Sequence, residues 1–218
     1  MPIKLVMFDL DGTLVDTSRD ITNALNYALT PYSIKNFTVE DTIKMIGEGV
    51  TRLIEKVLGE DKSHARDAVI EKFLEYYSEH LTDYSVVYPH VRETLENLNG
   101  YKKSVISNKR ENLSEQLLDN LDLLKYFDLV VGSDTTLQKK PSAIPLIHVL
   151  KKLGIDAQEA VMVGDSNFDI EAGRKAGVKT VAVTYGYRAK EYLTDADYMI
   201  DTFKDLPHIL DRSSSELI

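Results

Sequence analysis

The stretch Met7-Phe8-Asp9-Leu10-Asp11-Gly12-Thr13-Leu14-Val15-Asp16 constrains the fold most, because an apolar run there stops at two carboxylates, a glycine and a hydroxyl. Lys4 to Phe8 reads as a strand buried on both faces, since a short β-rich apolar run bounded by turn residues marks a parallel-sheet core. Asp9 and Asp11 flank Leu10, so at a strand's period of two they project to the same side of the chain end. Two like charges this close repel, which calls for a cation between them. An Asp-Gly turn after a strand is common, but it needs neither a second Asp at this spacing nor Thr13 after the glycine.

From Thr17 to about Asp83 the pattern is helical with no strand between helices. Thr17-Ser18-Arg19-Asp20 has the form of a capping box, and Ile21, Ala24, Leu25, Ala28 and Leu29 make one apolar face that Pro31 ends. Val50, Leu53, Ile54, Val57 and Leu58 repeat that spacing before Gly59, and Ala65, Val69, Phe73, Tyr76 and Tyr77 mark a longer third helix. The expectation is a small helical bundle, residues 17–84, inserted after the first strand.

From Pro89 strands and helices alternate. Lys102 to Ser107, Phe127 to Val131, Ala160 to Val163 and Thr180 to Val183 read as strands, with Tyr198 to Ile200 as a further one. Helices fall between them: one carries Leu113, Leu117, Leu118 and Leu121, a second runs from about Ala143 to Leu153 with Gly154 at its end, and a third runs from Asn167 to Lys175. This predicts an α/β fold, a doubly wound parallel sheet with right-handed crossovers. Residues 1–16 and 85–212 are assigned to this Rossmann-like core and 213–218 to a frayed tail.

Composition narrows the functional classes. The chain has 218 residues, 43% of them apolar, enough for a real core, and no cysteine, which excludes disulfides and zinc-thiolate sites. The net charge of −9 argues against nucleic acid as a partner. No run approaches the roughly 20 apolar residues of a membrane span, and Met-Pro-Ile-Lys opens no apolar signal segment, so a cytoplasmic location is expected. None of the five histidines shares metal-ligand spacing, and the tyrosines, Tyr185 and Tyr187 included, read as packing residues.

Three further motifs lie where strands end, the place where open parallel sheets bind ligands. Val105-Ile106-Ser107-Asn108 ends an apolar strand in a hydroxyl and an amide, although Ser-Asn after a strand is also ordinary turn chemistry. In Lys139-Lys140-Pro141 the proline holds Lys140 extended before a helix. Gly164-Asp165-Ser166-Asn167-Phe168-Asp169 contains a capping box at Ser166 and Asp169, which leaves Asp165 unexplained.

These four motifs, in this order, resemble those of the haloacid dehalogenase superfamily of phosphohydrolases, over Ile3 to about Leu210, and within it the phosphoglycolate phosphatase branch. The resemblance implies that the first strand is central, flanked by those ending at Ser107 and Val163, and that the helical insert is a cap over the active site. It implies Asp9 as nucleophile forming an aspartyl phosphate, Asp11 as general acid and base, and Lys140 as the catalytic lysine, with Lys139 on the surface and Lys109 a weaker rival. Ser107, with Asn108 and Thr13, is expected to bind substrate. Asp9, Asp165 and the backbone carbonyl of Asp11 would ligate metal, with Asp169 holding the metal's water or the lysine.

Four acidic side chains against one lysine repel a phosphate dianion, so a divalent cation is required. Oxygen ligands favour Mg²⁺, with Mn²⁺ as a substitute. The implied activity is Mg²⁺-dependent hydrolysis of a small phosphate monoester, with 2-phosphoglycolate as the first candidate. The superfamily's dehalogenases lack the second Asp, so Asp11 counts against dehalogenation. A phosphosugar mutase, a pyrophosphatase and a non-catalytic phospho-ligand-binding module stay open. Ile46-Gly47-Glu48-Gly49-Val50 looks more like the phosphoglycolate phosphatase cap than the mutase one. Gly47 and Gly49 imply a backbone that bends or closely approaches a ligand. Arg52, one turn on, either grips a substrate carboxylate or pairs with Glu48 on the helix surface.

Overall fold

The computed structural model describes residues 2–215. Strands β1 (Leu5–Phe8) and β2 (Val15–Asp16) open the chain. Helices α1 (Ser18–Leu29), α2 (Val39–Ile43), α3 (Val50–Leu58) and α4 (Arg66–Glu79) follow. The chain returns through β3 (Val86–Val87), α5 (Val91–Asn97), β4 (Lys102–Ile106), α6 (Glu111–Asn120), β5 (Leu129–Val131) and α7 (Ile144–Leu153). It closes with β6 (Ala160–Gly164), α8 (Asn167–Ala176), β7 (Lys179–Val183), β8 (Tyr198–Ile200) and α9 (Leu206–Ser215).

Six strands form one parallel sheet in the order β5-β4-β1-β6-β7-β8. β1 is therefore central, and it is buried end to end because helices cover both faces. Its side chains alternate as a strand demands. Leu5 and Met7 pack with Leu146, Val149 and Leu150 of α7, whereas Val6 and Phe8 share a core with Val91 and Leu95 of α5, Leu117 of α6 and Leu206 of α9. The sheet's parallel register puts the ends of β1, β4 and β6 side by side, and the chemistry-bearing residues follow those ends.

The helices between β2 and β3 pack on one another through Ile21, Ala24 and Leu25 of α1 and Val69, Phe73 and Tyr77 of α4, with Tyr27 stacked on Tyr76 at 4.4 Å. β2 and β3 pair antiparallel, so both crossings of the chain run through one two-stranded ribbon. Asp20 braces it. Its buried carboxylate accepts from the Tyr84 N–H at 3.0 Å, the Ser85 N–H at 2.8 Å and the Ser85 hydroxyl at 2.7 Å. The capping box expected at Thr17 and Asp20 therefore does not form: Thr17 makes no side-chain cap, and Asp20 serves the returning chain instead.

Several elements escaped the sequence reading. The ribbon strands have two residues each, and α2 and α5 have five and seven, too short for a periodic signal. Helix α9 runs on through Ser215, into the stretch assigned to a tail; Glu216 to Ile218 lie outside the described residues. No helix among the described residues is long and apolar enough to cross a membrane.

Candidate active site

The site lies beyond the ends of β1, β4 and β6. Asp9 follows β1 directly, and Lys140 Nζ stands 2.8 Å from its Oδ1 and 2.6 Å from Asp169 Oδ1. The Leu10 N–H donates to the same Asp9 oxygen at 2.7 Å. Asp169, in the first turn of α8, takes the Ser166 N–H and hydroxyl on its other oxygen, as the capping pattern requires. One lysine is thus buried among carboxylates. Burial alone would discharge it, but Asp169 and Asp9 hold its ammonium above the usual lysine range.

Carboxylate oxygens of Asp9, Asp165 and Asp169 all lie within 4.8 Å of one another, and all three residues are buried. Burial, reinforced by Asp169, pushes Asp165 up to about 7, and burial with Asp169 and Asp165 raises Asp9 well above the carboxylate range. Lys140 alone leaves this cluster short of positive charge. An all-oxygen donor set with surplus negative charge fits a hard divalent cation. Asp165 is prepared for one, because the Tyr187 N–H donates to its Oδ2 at 2.7 Å and the Thr13 hydroxyl reaches its Oδ1 at 3.4 Å.

The cations that the structure itself places on Asp9 and Asp11 are side chains, and they are two rather than one. Each carboxylate has its own lysine: Asp11 Oδ1 meets Lys109 Nζ at 2.5 Å and the Thr17 hydroxyl at 2.6 Å. Lys109 is buried, and Asp11 with Tyr77 keeps its ammonium raised against that burial. The backbone turns sharply after Asp11. Gly12 sits at φ +84°, and a Cβ there would lie 2.4 Å from Asp165 Oδ2.

A cavity of about 80 Å³ lies between these residues and the helical segment. At ~10–15 Å³ per water it holds roughly five to eight, the scale of a small ester. Asp9, Asp11, Ser107, Asn108, Lys109 and Asp165 line its polar end, while Ile46, Val50, Leu53, Phe73 and Tyr77 form an apolar roof.

Four placements differ from expectation. Thr13 is fully buried with its hydroxyl on Asp165 and does not reach the cavity, because the turn at Gly12 aims it beneath the metal-type cluster. Arg52 also stands off the cavity: it is largely exposed and pairs with Glu55 at 2.9 Å, while Glu48 pairs with Lys56 rather than with Arg52. Asn108 lines the cavity, but its amide donates to the carbonyls of Gly47 at 2.8 Å and Lys140 at 3.0 Å. Lys139 is half-buried rather than on the surface, with its Nζ on the Glu48 carbonyl at 2.5 Å.

These last two belong to a set. Arg188, after β7, donates to the carbonyls of Ile43, at 2.9 Å, and Ile46. Three side chains from three sheet loops therefore hold the carbonyls of one short stretch, Ile43 to Glu48. The close backbone approach expected of Gly49 is made there, to protein, since a Cβ on it would lie 2.7 Å from the Asn108 carbonyl.

Tyr187 does more than pack. It lines the cavity, and its hydroxyl accepts from the Thr17 N–H at 2.8 Å and reaches Asp16 at 3.1 Å. The only signal for it was Gly186-Tyr187-Arg188 following a strand end, a weak one. Lys109 had a stronger signal, standing next to Ser107-Asn108.

The comparisons agree with this geometry. Residues 6–183 match the family model for haloacid dehalogenase-like hydrolases. A phosphoglycolate phosphatase of Aquifex aeolicus is 40% identical over 212 residues, covering 96% of this chain and 98% of that protein. One from Chromobacterium violaceum is 38% identical, covering 94% and 95%. The crystal structure of a predicted phosphoglycolate phosphatase from Haemophilus somnus superposes with a TM-score of 0.87 at 30% identity, covering 95% of this chain and 97% of that one. With a match across most of its length, and with Asp9 and Asp11 after β1 and Asp165 after β6 lining one cavity, this chain belongs to the haloacid dehalogenase-like hydrolase family.

Proposed function

We propose that this hydrolase cleaves a small phosphate monoester, 2-phosphoglycolate being the substrate that fits best, through an aspartyl phosphate on Asp9. The observation that carries the reading is the buried Asp9 carboxylate at the cavity floor, held through one oxygen by Lys140 and the Leu10 N–H. A carboxylate attacks phosphorus without needing a base to activate it. As the Asp9 oxygen bonds to phosphorus, the ester oxygen leaves, and Asp11 gives it a proton. A water then attacks the aspartyl phosphate, passes its proton to Asp11, and releases inorganic phosphate with Asp9 restored.

Lys140 and Ser107 are assigned the phosphoryl oxygens. Asp9 and Asp165, with the Asp11 carbonyl, would hold Mg²⁺ or Mn²⁺, which when bound supplies positive charge to the transferred group. Asp169 positions Lys140. The helices α1–α4 act as a cap that swings on the β2–β3 ribbon, and Asn108, Lys139 and Arg188 latch its Ile43–Glu48 stretch in the closed form. The small cavity and the names of the relatives support 2-phosphoglycolate over sugar phosphates and nucleotides.

Phosphate release is to be measured with Mg²⁺ over 2-phosphoglycolate, sugar phosphates, nucleotides and pyrophosphate. Fastest turnover of 2-phosphoglycolate is expected, with Asp9→Asn inactive and Asp11→Asn slowed by roughly 10²–10⁴ while metal binding persists. Activity surviving in Asp9→Asn, or no release from any ester, overturns the reading.

A further inference from the structure

Two polar groups at the cavity have no part in the chemistry above: the Lys109 ammonium and the Tyr77 hydroxyl. Tyr77 is 1% exposed and lines the cavity, yet its hydroxyl makes no hydrogen bond of ordinary geometry among the described residues, the Lys109 ammonium being the cation that acts on it. A buried hydroxyl left unpaired is rare and unfavourable, and at a cavity wall it points to a ligand. Lys109 Nζ stands 5.1 Å from the Tyr77 ring centre and bonds to Asp11 Oδ1. An ammonium has three donors, and Asp11 takes one.

We propose that Lys109 and Tyr77 form a carboxylate subsite that selects monoesters carrying an anion one methylene from the ester oxygen. The proposal rests on the reading of Asp11 as the group that serves the ester oxygen. In 2-phosphoglycolate the carboxylate is one methylene beyond that oxygen, so the cation that receives it has to stand beside Asp11. Lys109 does. Lys140 is enclosed between Asp9 and Asp169, both terminal nitrogens of Arg188 are held by backbone carbonyls, Arg110 at the cavity edge is exposed, and Arg52 is outside the cavity.

A carboxylate seated here takes a charge-assisted bond from Lys109 on one oxygen and the Tyr77 hydroxyl on the other. The apolar roof of Val50, Leu53 and Phe73 offers no competing donor and accommodates the methylene. Lys109 follows β4 and Tyr77 is on α4, so the subsite is complete only when the helical segment covers the sheet. Recognition of the carboxylate is thereby tied to closure over the reacting phosphorus.

The test compares kcat/KM for 2-phosphoglycolate with that for 2-hydroxyethyl phosphate, which replaces the carboxylate by an uncharged CH₂OH. Both esters depend on Asp11, so any disturbance of Asp11 in a Lys109 variant cancels in the ratio. Lys109→Met should lower the wild-type preference for 2-phosphoglycolate on the order of tenfold to a hundredfold, the scale of a lost bond to a charged group. Tyr77→Phe, which removes one oxygen, should lower it about threefold to tenfold, and Lys109→Arg should retain part of it.

Inhibition by glycolate, read against whichever ester the enzyme turns over fastest, should weaken in parallel in Lys109→Met and Tyr77→Phe. A preference unchanged in both variants overturns the subsite while leaving the substrate reading in place. Glycolate inhibition that needs both residues, in an enzyme that does not hydrolyse 2-phosphoglycolate, supports the subsite and removes that substrate.

Discussion

In the absence of divalent metal, the stability of this protein should fall as pH rises from about 4 towards about 7. Asp165 is 2% exposed, and burial with the neighbouring Asp169 pushes its carboxyl up to about 7, against roughly 3.9 for an unfolded aspartate. Between those values the folded state keeps a proton that the unfolded state has released. Stability from this group is therefore full below about pH 4 and is lost as pH rises towards about 7. A shift of roughly three units at ~1.4 kcal/mol each amounts to at most about 4 kcal/mol, against about 5–15 kcal/mol for a whole fold. Asp9 shifts in the same direction and adds to the slope.

A bound divalent cation reverses the sign by favouring the ionised carboxylates. The assay is urea denaturation from about pH 5 to about pH 8, in chelator and in Mg²⁺, of the wild type and Asp165→Asn, with their difference isolating this group from the background titration. In chelator the wild type should lose stability relative to the variant as pH rises, and Mg²⁺ should restore it in the wild type alone. Parallel pH curves for the two proteins in chelator, or equal Mg²⁺ stabilisation at both ends of the range, would refute the reasoning.

Arg52→Ala should change kcat/KM by less than about twofold for every ester, because an exposed residue away from the site rarely matters; a selective loss on 2-phosphoglycolate would return Arg52 to the binding site. Asn108→Ala should loosen the closed cap, seen as faster amide exchange across Ile43–Gly49 with exchange in β1 unchanged, and equal protection in both proteins would speak against a latch. Gly12→Ala forces a Cβ into Asp165 at a positive φ, so isothermal titration should show weakened Mg²⁺ binding and kinetics a loss on the order of a hundredfold, as displacement of site groups by ~1 Å produces.

Much of the core was legible because burial writes itself into local composition. A strand covered on both faces has to be apolar throughout, and Leu5–Phe8 and Ala160–Gly164 each announce themselves by that run and by the polar residues that end it, whereas Lys102–Ile106 is apolar only in its last two residues. The motif residues Asp9 and Asp165 were legible for the same reason, since a charged side chain at the end of a buried strand has no packing role to explain it, whereas Lys140 stands in the loop between β5 and α7 and was legible only through the resemblance of Lys139-Lys140-Pro141. Arg52 stayed open between two readings because helical spacing tells which residues share a face, not which way that face turns. Here Arg52 turns to solvent and pairs with the half-buried Glu55, while Lys56 takes Glu48.

What the sequence by itself determined is a parallel sheet with acidic and basic residues at the ends of its central strands, since hydrophobic periodicity and turn chemistry act between near neighbours. Only the tertiary structure decided which charge meets which. Lys109 is 98 positions from Asp11, Lys140 is 29 from Asp169, and Tyr187 is 22 from Asp165. Burial makes these pairings strong: in a site closed to water a lysine is retained only beside a carboxylate, and a carboxylate without a lysine binds a proton or a metal. Those choices depend on ångström-scale separations between the ends of non-adjacent strands and helices, which neighbours in the sequence do not encode.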